Sequence, residues 1–231
     1  MPTVQANGIA LYHEVHGDGP PLVLILGLGA DVSVYQSVIQ DLAAHHTVLA
    51  FDNRGAGRSD KPHEPYTVET MADDTAGLIR AVGMAGADVV GFSLGGRVAM
   101  ALAARYPELV GRLVLVSTAA RVIPTVRRFL VMHVWTRVRR AGGAYPQPRF
   151  AFVRQRQAAE RYDGRSVLSR IHVPTVILHG RADRSAPFHL AEELRDGIDG
   201  ATLVPFDGGH TFLLGDERQR FLDELGAFLT A

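Results

Sequence analysis

The chain has no cysteine in 231 residues. That absence removes disulfides, thiolate metal sites and cysteine nucleophiles together. Long apolar runs are missing too, and none reaches the ~18–20 residues that a membrane-spanning helix requires. The opening Met1-Pro2-Thr3-Val4-Gln5-Ala6-Asn7-Gly8 lacks a basic start followed by an apolar stretch. No signal peptide is therefore expected, and the cytoplasm is the expected location. The histidines at 45, 46, 63, 133 and 189 fall into no H-E-x-x-H or similar ligand spacing, so no metal and no cofactor is expected.

Net charge is absent as well, with 24 basic and 24 acidic residues, but the balance is lopsided along the chain. Between Arg121 and Arg170 stand twelve arginines and no lysine against two acids, Glu160 and Asp163, a local balance of +10. The remainder carries −10. Such asymmetry can mark a nucleic-acid or membrane surface. The stretch has few exposed-looking aromatics and no nucleic-acid motif, which favours a solvated arginine-rich segment docked on an acidic core.

What is present is an alternation of strand-like and helix-like segments. Leu22–Leu26, Thr47–Phe51, Asp88–Gly91, Leu113–Ser117, Thr175–His179 and Thr202–Pro205 are short apolar runs bounded by turn residues. Helical periodicity covers Gln36–Ala44, Val68–Val82, Gly96–Tyr106, Ala191–Asp196 and Gln219–Leu229. Continuous apolar strands separated by helices predict a parallel sheet covered on both faces. Val4–Ala6 and Ala10–His16 flank Asn7-Gly8, the pattern of an antiparallel hairpin. The expected class is α/β, mostly parallel, with an antiparallel beginning. The alternation breaks from 119 to 170, where Val122–Arg140 and Phe150–Arg161 read as helices. We expect a core of residues 1–118 and 171–231 and an inserted helical cap of residues 119–170.

The most informative segment is Val89-Val90-Gly91-Phe92-Ser93-Leu94-Gly95. Alone, G-x-S-x-G is a weak motif. Here a β-branched strand precedes it and a helical pattern follows it. A serine on such a tight turn has its Oγ lifted clear of the sheet edge, and the first helical N–H points at the oxygen it attacks. Ser93 is the candidate nucleophile, and Leu94 supplies the first candidate oxyanion donor.

A serine hydroxyl needs a base, and the base needs an orienting group. Asp183 follows the strand Thr175–His179, and His210 follows the strand Thr202–Pro205. The order Ser93, Asp183, His210 is the one expected of a hydrolase triad on an open α/β sheet. Each residue taken alone has another reading. Asp183 could close a turn or cap the helix near Pro187, and His210 is one of ten histidines. Asp207 is the nearest rival acid. The second oxyanion donor is expected after Leu22–Leu26, at Leu28 within Gly27-Leu28-Gly29-Ala30-Asp31.

These segments together resemble the α/β-hydrolase fold superfamily over almost the whole chain. Phe51-Asp52-Asn53-Arg54-Gly55-Ala56-Gly57-Arg58-Ser59-Asp60 resembles its D-x-R-G-x-G-x-S signature, and Val173 to Asp183 resembles the strand leading to its triad acid. The turn Leu26-Gly27-Leu28-Gly29-Ala30-Asp31 departs from the common His-Gly-x-Gly and looks closer to that of 3-oxoadipate enol-lactonases. The resemblance implies that Asp52 and Arg54 brace turns beside this loop. It further implies a serine hydrolase cleaving a small carboxylic ester or lactone through an acyl-enzyme. Carbon–carbon hydrolases and cofactor-free perhydrolases of the same fold use the same residues, and a ligand receptor with little turnover is an alternative of another class. An ester or lactone is the expected partner, with no nucleic acid and no membrane span. A monomer, or a homodimer through the cap, is the expected state.

Overall fold

The computed structural model describes residues 2–123, 143–145 and 147–230. Its hairpin pairs β1 (Thr3–Ala6) with β2 (Ile9–His16). Asn7 and Gly8 both have positive φ, +50° and +79°. That is a type I′ turn, which suits Asn-Gly. There follow β3 (Pro21–Ile25), α1 (Gln36–Ala43), β4 (Thr47–Phe51), α2 (Val68–Ala81), β5 (Ala87–Phe92), α3 (Leu94–Arg105) and β6 (Val110–Val116). Then come α4 (Arg149–Arg161), α5 (Arg165–Leu168), β7 (Thr175–Gly180), α6 (His189–Gly197), β8 (Thr202–Phe206) and α7 (Arg218–Thr230). Among the described residues the sheet has eight strands in the order β1-β2-β4-β3-β5-β6-β7-β8. Pairing is antiparallel as far as β4 and parallel from there to β8. The α/β class and the antiparallel beginning are thus as expected.

Alternation along the strands builds two apolar layers. Val23, Ile25, Val89, Leu113, Leu115 and Ile177 pack on one face with residues of α2 and α3. Leu22, Leu24, Val90, Val114, Val116 and Leu178 pack on the other with α1 and α7. Both faces being covered, the strands carry continuous apolar sequence. The helix α2 shows how local signals set the boundaries. Thr67 caps it by accepting the Thr70 N–H at 3.0 Å, and Gly83 ends it at φ +73°.

One topological feature positions the site. β3 lies between β4 and β5, so the chain leaves β3 for one side of the sheet and continues from β5 toward the other. A crevice opens outside the carboxyl ends of strands at such a switch point. The turn after β3 and the turn after β5 both sit there. Between β6 and β7 the described residues carry α4 and α5 and no strand. Phe150–Arg161 is helical as expected. The helix expected over Val122–Arg140 lies, but for its first two residues, outside the described residues.

Candidate active site

Ser93 sits between β5 and α3 with φ +55° and ψ −111°. A non-glycine residue in that region is strained by about 1–3 kcal/mol and persists only where its surroundings impose it. Those surroundings are specific. The Ser93 N–H donates to Val116 O at 2.9 Å, and its carbonyl accepts from Gly96 N–H and from Thr118 Oγ1 at 3.1 and 2.7 Å. The glycines around it are required by contact rather than by conformational freedom. A Cβ at Gly95 would lie 2.0 Å from Ile25 O, and one at Gly91 2.6 Å from Gly95 O. Helix and strand approach closely enough to lift the serine into the crevice.

His210 Nε2 lies 2.9 Å from Ser93 Oγ, and His210 Nδ1 lies 2.7 Å from Asp183 Oδ2. Residues 117 and 27 positions apart in sequence are thus joined in one chain of hydrogen bonds. Two loops make this possible. Arg181 N–H donates to Phe206 O at 2.6 Å and Ala182 N–H to Gly208 O at 3.1 Å, tying the turn after β7 to the turn after β8. Glu217 accepts from the Asp207 and Gly208 N–H groups at 3.0 and 2.5 Å, holding the segment that leads to His210. The rival acid Asp207 is exposed.

The Asp183 carboxylate engages both its own turn and His210. Its Oδ1 accepts from the Ser185 and Ala186 N–H groups at 2.7 and 2.9 Å, which closes the turn, while Oδ2 faces the histidine. Burial pushes the Asp183 carboxyl up, but the His210 hydrogen bond and charge and the Ala186 amide outweigh it. The net direction is below the usual carboxylate range, so the group is ionised. An ionised carboxylate accepts and cannot donate, so His210 carries its proton on Nδ1. Nε2 is then left to accept from Ser93 Oγ–H.

Leu28 and Leu94 line the same cavity, about 60 Å³, as Ser93, Arg97, Ser117 and His210. Leu94 is the first residue of α3, so its N–H lies in the turn whose amides have no partner within the helix. Leu28 is the second residue of a β-turn closed by Ala30 N–H donating to Gly27 O at 3.3 Å. Because the peptide is trans, the Leu28 N–H points opposite to that engaged carbonyl. Gly27 comes so near Ser93 that a Cβ on it would lie 3.5 Å from Ser93 Cβ.

The signature loop braces this turn. Asp52 accepts from Val32 N–H at 2.7 Å and from Arg58 N–H at 2.8 Å, and Asn53 Nδ2 donates to Leu26 O at 3.0 Å. Arg54 forms a buried two-point pair with Asp74, at 2.5 and 2.6 Å. Among the described residues no group of three or more histidine, aspartate or glutamate side chains is placed to hold a metal ion. No described helix is long and apolar enough to cross a membrane.

Three participants were not singled out from the sequence. His179, wholly buried, donates Nε2–H to Ala186 O at 2.7 Å and so backs the Asp183 turn. Burial pushes its imidazole down, which keeps it neutral. Arg97 is the arginine on the cavity wall among the described residues; it donates to the carbonyls of Ala119, Ala159 and Arg121. Of the arginines between 121 and 170, Arg121 pairs instead with Glu193, Arg156 with Glu160 and Arg165 with Asp163. Gln155 bridges α4 to the turn after β3. Its one sequence signal is a polar residue on the same helical face as Phe152 and Ala159, all buried.

A sheet of this order, with its serine elbow and its histidine and carboxylate on later strand ends, defines an α/β-hydrolase fold. The model of the alpha/beta hydrolase fold family matches residues 20–162, and the chain belongs to that family. It is 31% identical to a protein of Azorhizobium caulinodans named "Putative carbamate hydrolase RutD", over 92% of each chain. Among solved structures it is similar to the enol-lactonase of Burkholderia xenovorans, with TM-score 0.89, 27% identity and all of both chains covered. It is equally similar in shape to an esterase of Exiguobacterium antarcticum, with TM-score 0.89, 25% identity and 99% of each chain covered.

Proposed function

We propose that this protein is a serine hydrolase that cleaves a small carboxylic ester or lactone through an acyl-enzyme. The observation that carries the reading is the Asp183–His210–Ser93 chain, with Ser93 held in left-handed backbone at the head of α3. In the first half-reaction Ser93 Oγ attacks the acyl carbon while His210 Nε2 takes its proton. Asp183 holds the proton on Nδ1 and stabilises the imidazolium. The Leu28 and Leu94 N–H groups, with the positive end of α3, stabilise the oxyanion. His210 then protonates the departing alkoxide, which leaves as the alcohol. In the second half a water gives its proton to His210 and attacks the acyl-enzyme, releasing the acid and restoring Ser93. Residues 119–170 act as a cap over this crevice.

Hydrolysis of a short p-nitrophenyl ester, with fluorophosphonate labelling of Ser93, tests the reading. We expect turnover and a single label, both abolished in Ser93→Ala while the protein stays folded. Labelling that persists in that variant at another serine refutes the nucleophile. Labelling of Ser93 without cleavage of any ester or lactone moves the reaction to another bond.

A further inference from the structure

The Gly27–Ala30 turn has no histidine to buttress it, yet its conformation is demanding. Gly29 has φ +72° while Leu28 has negative φ, which with the Gly27 O to Ala30 N–H bond makes a type II turn. Types I and II differ by a flip of the central peptide, here Leu28–Gly29. Something must hold the Gly29 N–H. That partner is Gln155, 1% exposed, whose Oε1 accepts the Gly29 N–H at 3.0 Å. Its Nε2 donates to Arg54 O at 2.7 Å. The two partners demand one acceptor and one donor, and the uncharged glutamine amide supplies both. Arg54 is in turn fixed by its pair with Asp74. A second clasp lies a few residues on, where Tyr145 N–H donates to Asp31 Oδ2 at 3.0 Å and Ala144 N–H to Ser33 Oγ at 2.8 Å.

We propose that Gln155 is a positioning residue for the oxyanion turn: from α4 it locks the Leu28–Gly29 peptide and so fixes the turn whose preceding peptide, Gly27–Leu28, presents the Leu28 N–H to the oxygen developing at Ser93. The proposal rests on the acyl-transfer reading for its effect on rate, though not for its effect on the turn. One consequence is that the segment between β6 and β7 completes the catalytic machinery as well as covering it. Without α4 docked, the serine, histidine and aspartate keep their places and one oxyanion donor loses its aim.

The test is Gln155→Met, which keeps length and apolar packing and removes both hydrogen bonds. Turnover of a p-nitrophenyl ester is measured per serine titrated with a fluorophosphonate, so that misfolded protein is not counted. We expect kcat per titrated site to fall about 10- to 100-fold, less than the loss of a whole donor, with KM changed less than threefold. Affinity for an alkyl boronic acid, which forms a tetrahedral adduct on Ser93, should fall in step, while binding of the product acid is unchanged. A kcat per site within twofold of wild type, or a loss confined to KM or to the titratable fraction, overturns the proposal. Amide exchange decides it independently of activity. The Gly29 N–H should exchange at least tenfold faster in Gln155→Met than in wild type, and equal exchange overturns the clamp even if no ester proves to be a substrate.

Discussion

Replacing Asp183 by asparagine should do more harm than its near-identical shape suggests, because the turn dictates which way the amide faces. Oδ1 accepts two backbone N–H groups, from Ser185 and Ala186. An asparagine NH2 cannot occupy that position without setting donors against donors, so the amide oxygen must take it. The NH2 group then faces His210 Nδ1, where the carboxylate oxygen lay at 2.7 Å. A donor there forces Nδ1 to accept and moves the imidazole proton to Nε2. Nε2–H confronts Ser93 Oγ at 2.9 Å as a donor and no longer removes its proton. A wrong tautomer of this kind costs about 10⁴-fold in kcat in the serine-protease triad, or about 5.5 kcal/mol of barrier. Steady-state hydrolysis of p-nitrophenyl acetate, normalised to folded protein, gives the number. Asp207→Asn serves as the control and should stay within about threefold, its side chain being exposed. An Asp183→Asn enzyme retaining a tenth of wild-type kcat would refute the tautomer argument. Severities reversed between the two variants would reassign the acid.

Three further outcomes are expected. Gly95→Ala puts a Cβ 2.0 Å from the Ile25 carbonyl oxygen, a backbone atom unable to yield, so it should cost roughly 3 kcal/mol or more and lower Tm by about 10 °C; a melt within 2 °C of wild type would show that the elbow can relax. Asp183 titrates below its ordinary value in the folded state, so its contribution to stability is full above an unfolded value of about 3.9 and is lost as pH falls through the lower folded value. The Tm advantage of wild type over Asp183→Asn should therefore narrow below about pH 4, and an advantage that widens on acidification contradicts the sign. Arg97 places a fixed positive charge on the cavity wall, so an ester bearing a carboxylate should be cleaved several-fold faster in kcat/KM than its neutral isostere at low salt, the preference shrinking as salt rises; equal values at low salt leave a general small-ester hydrolase.

The framework was legible in the sequence because local chemistry specifies it. Strands buried on both faces must be continuously apolar, and β3 to β8 each overlap the run expected for them. The G-x-S-x-G turn announces itself because its glycines answer to contacts with β3 and α3 that leave no room for a Cβ. Ser93, Asp183 and His210 were findable since each ends a recognisable strand. What stayed hidden depends on tertiary approach. Nothing in a single sequence says that Gln155 meets Gly29 across 126 positions, or that His179 donates to Ala186. Of the twelve arginines between 121 and 170, five lie outside the described residues, and among the described residues the cavity wall carries Arg97 of α3.

His210 hangs from the outermost strand of the parallel run. Among the described residues β8 has β7 on one side and no strand on the other, and its first residue is exposed. Ser93, by contrast, rises from β5, with four strands on one side and three on the other. Fraying at a sheet margin requires far less energy than global unfolding, so the margin opens and recloses many times while the centre stays shut. Each such opening leaves a molecule with nearly all its secondary structure and no base. On the acyl-transfer reading proposed above, turnover is thus a local gauge of one sheet margin. On warming, it should fade while circular dichroism still reports a folded chain.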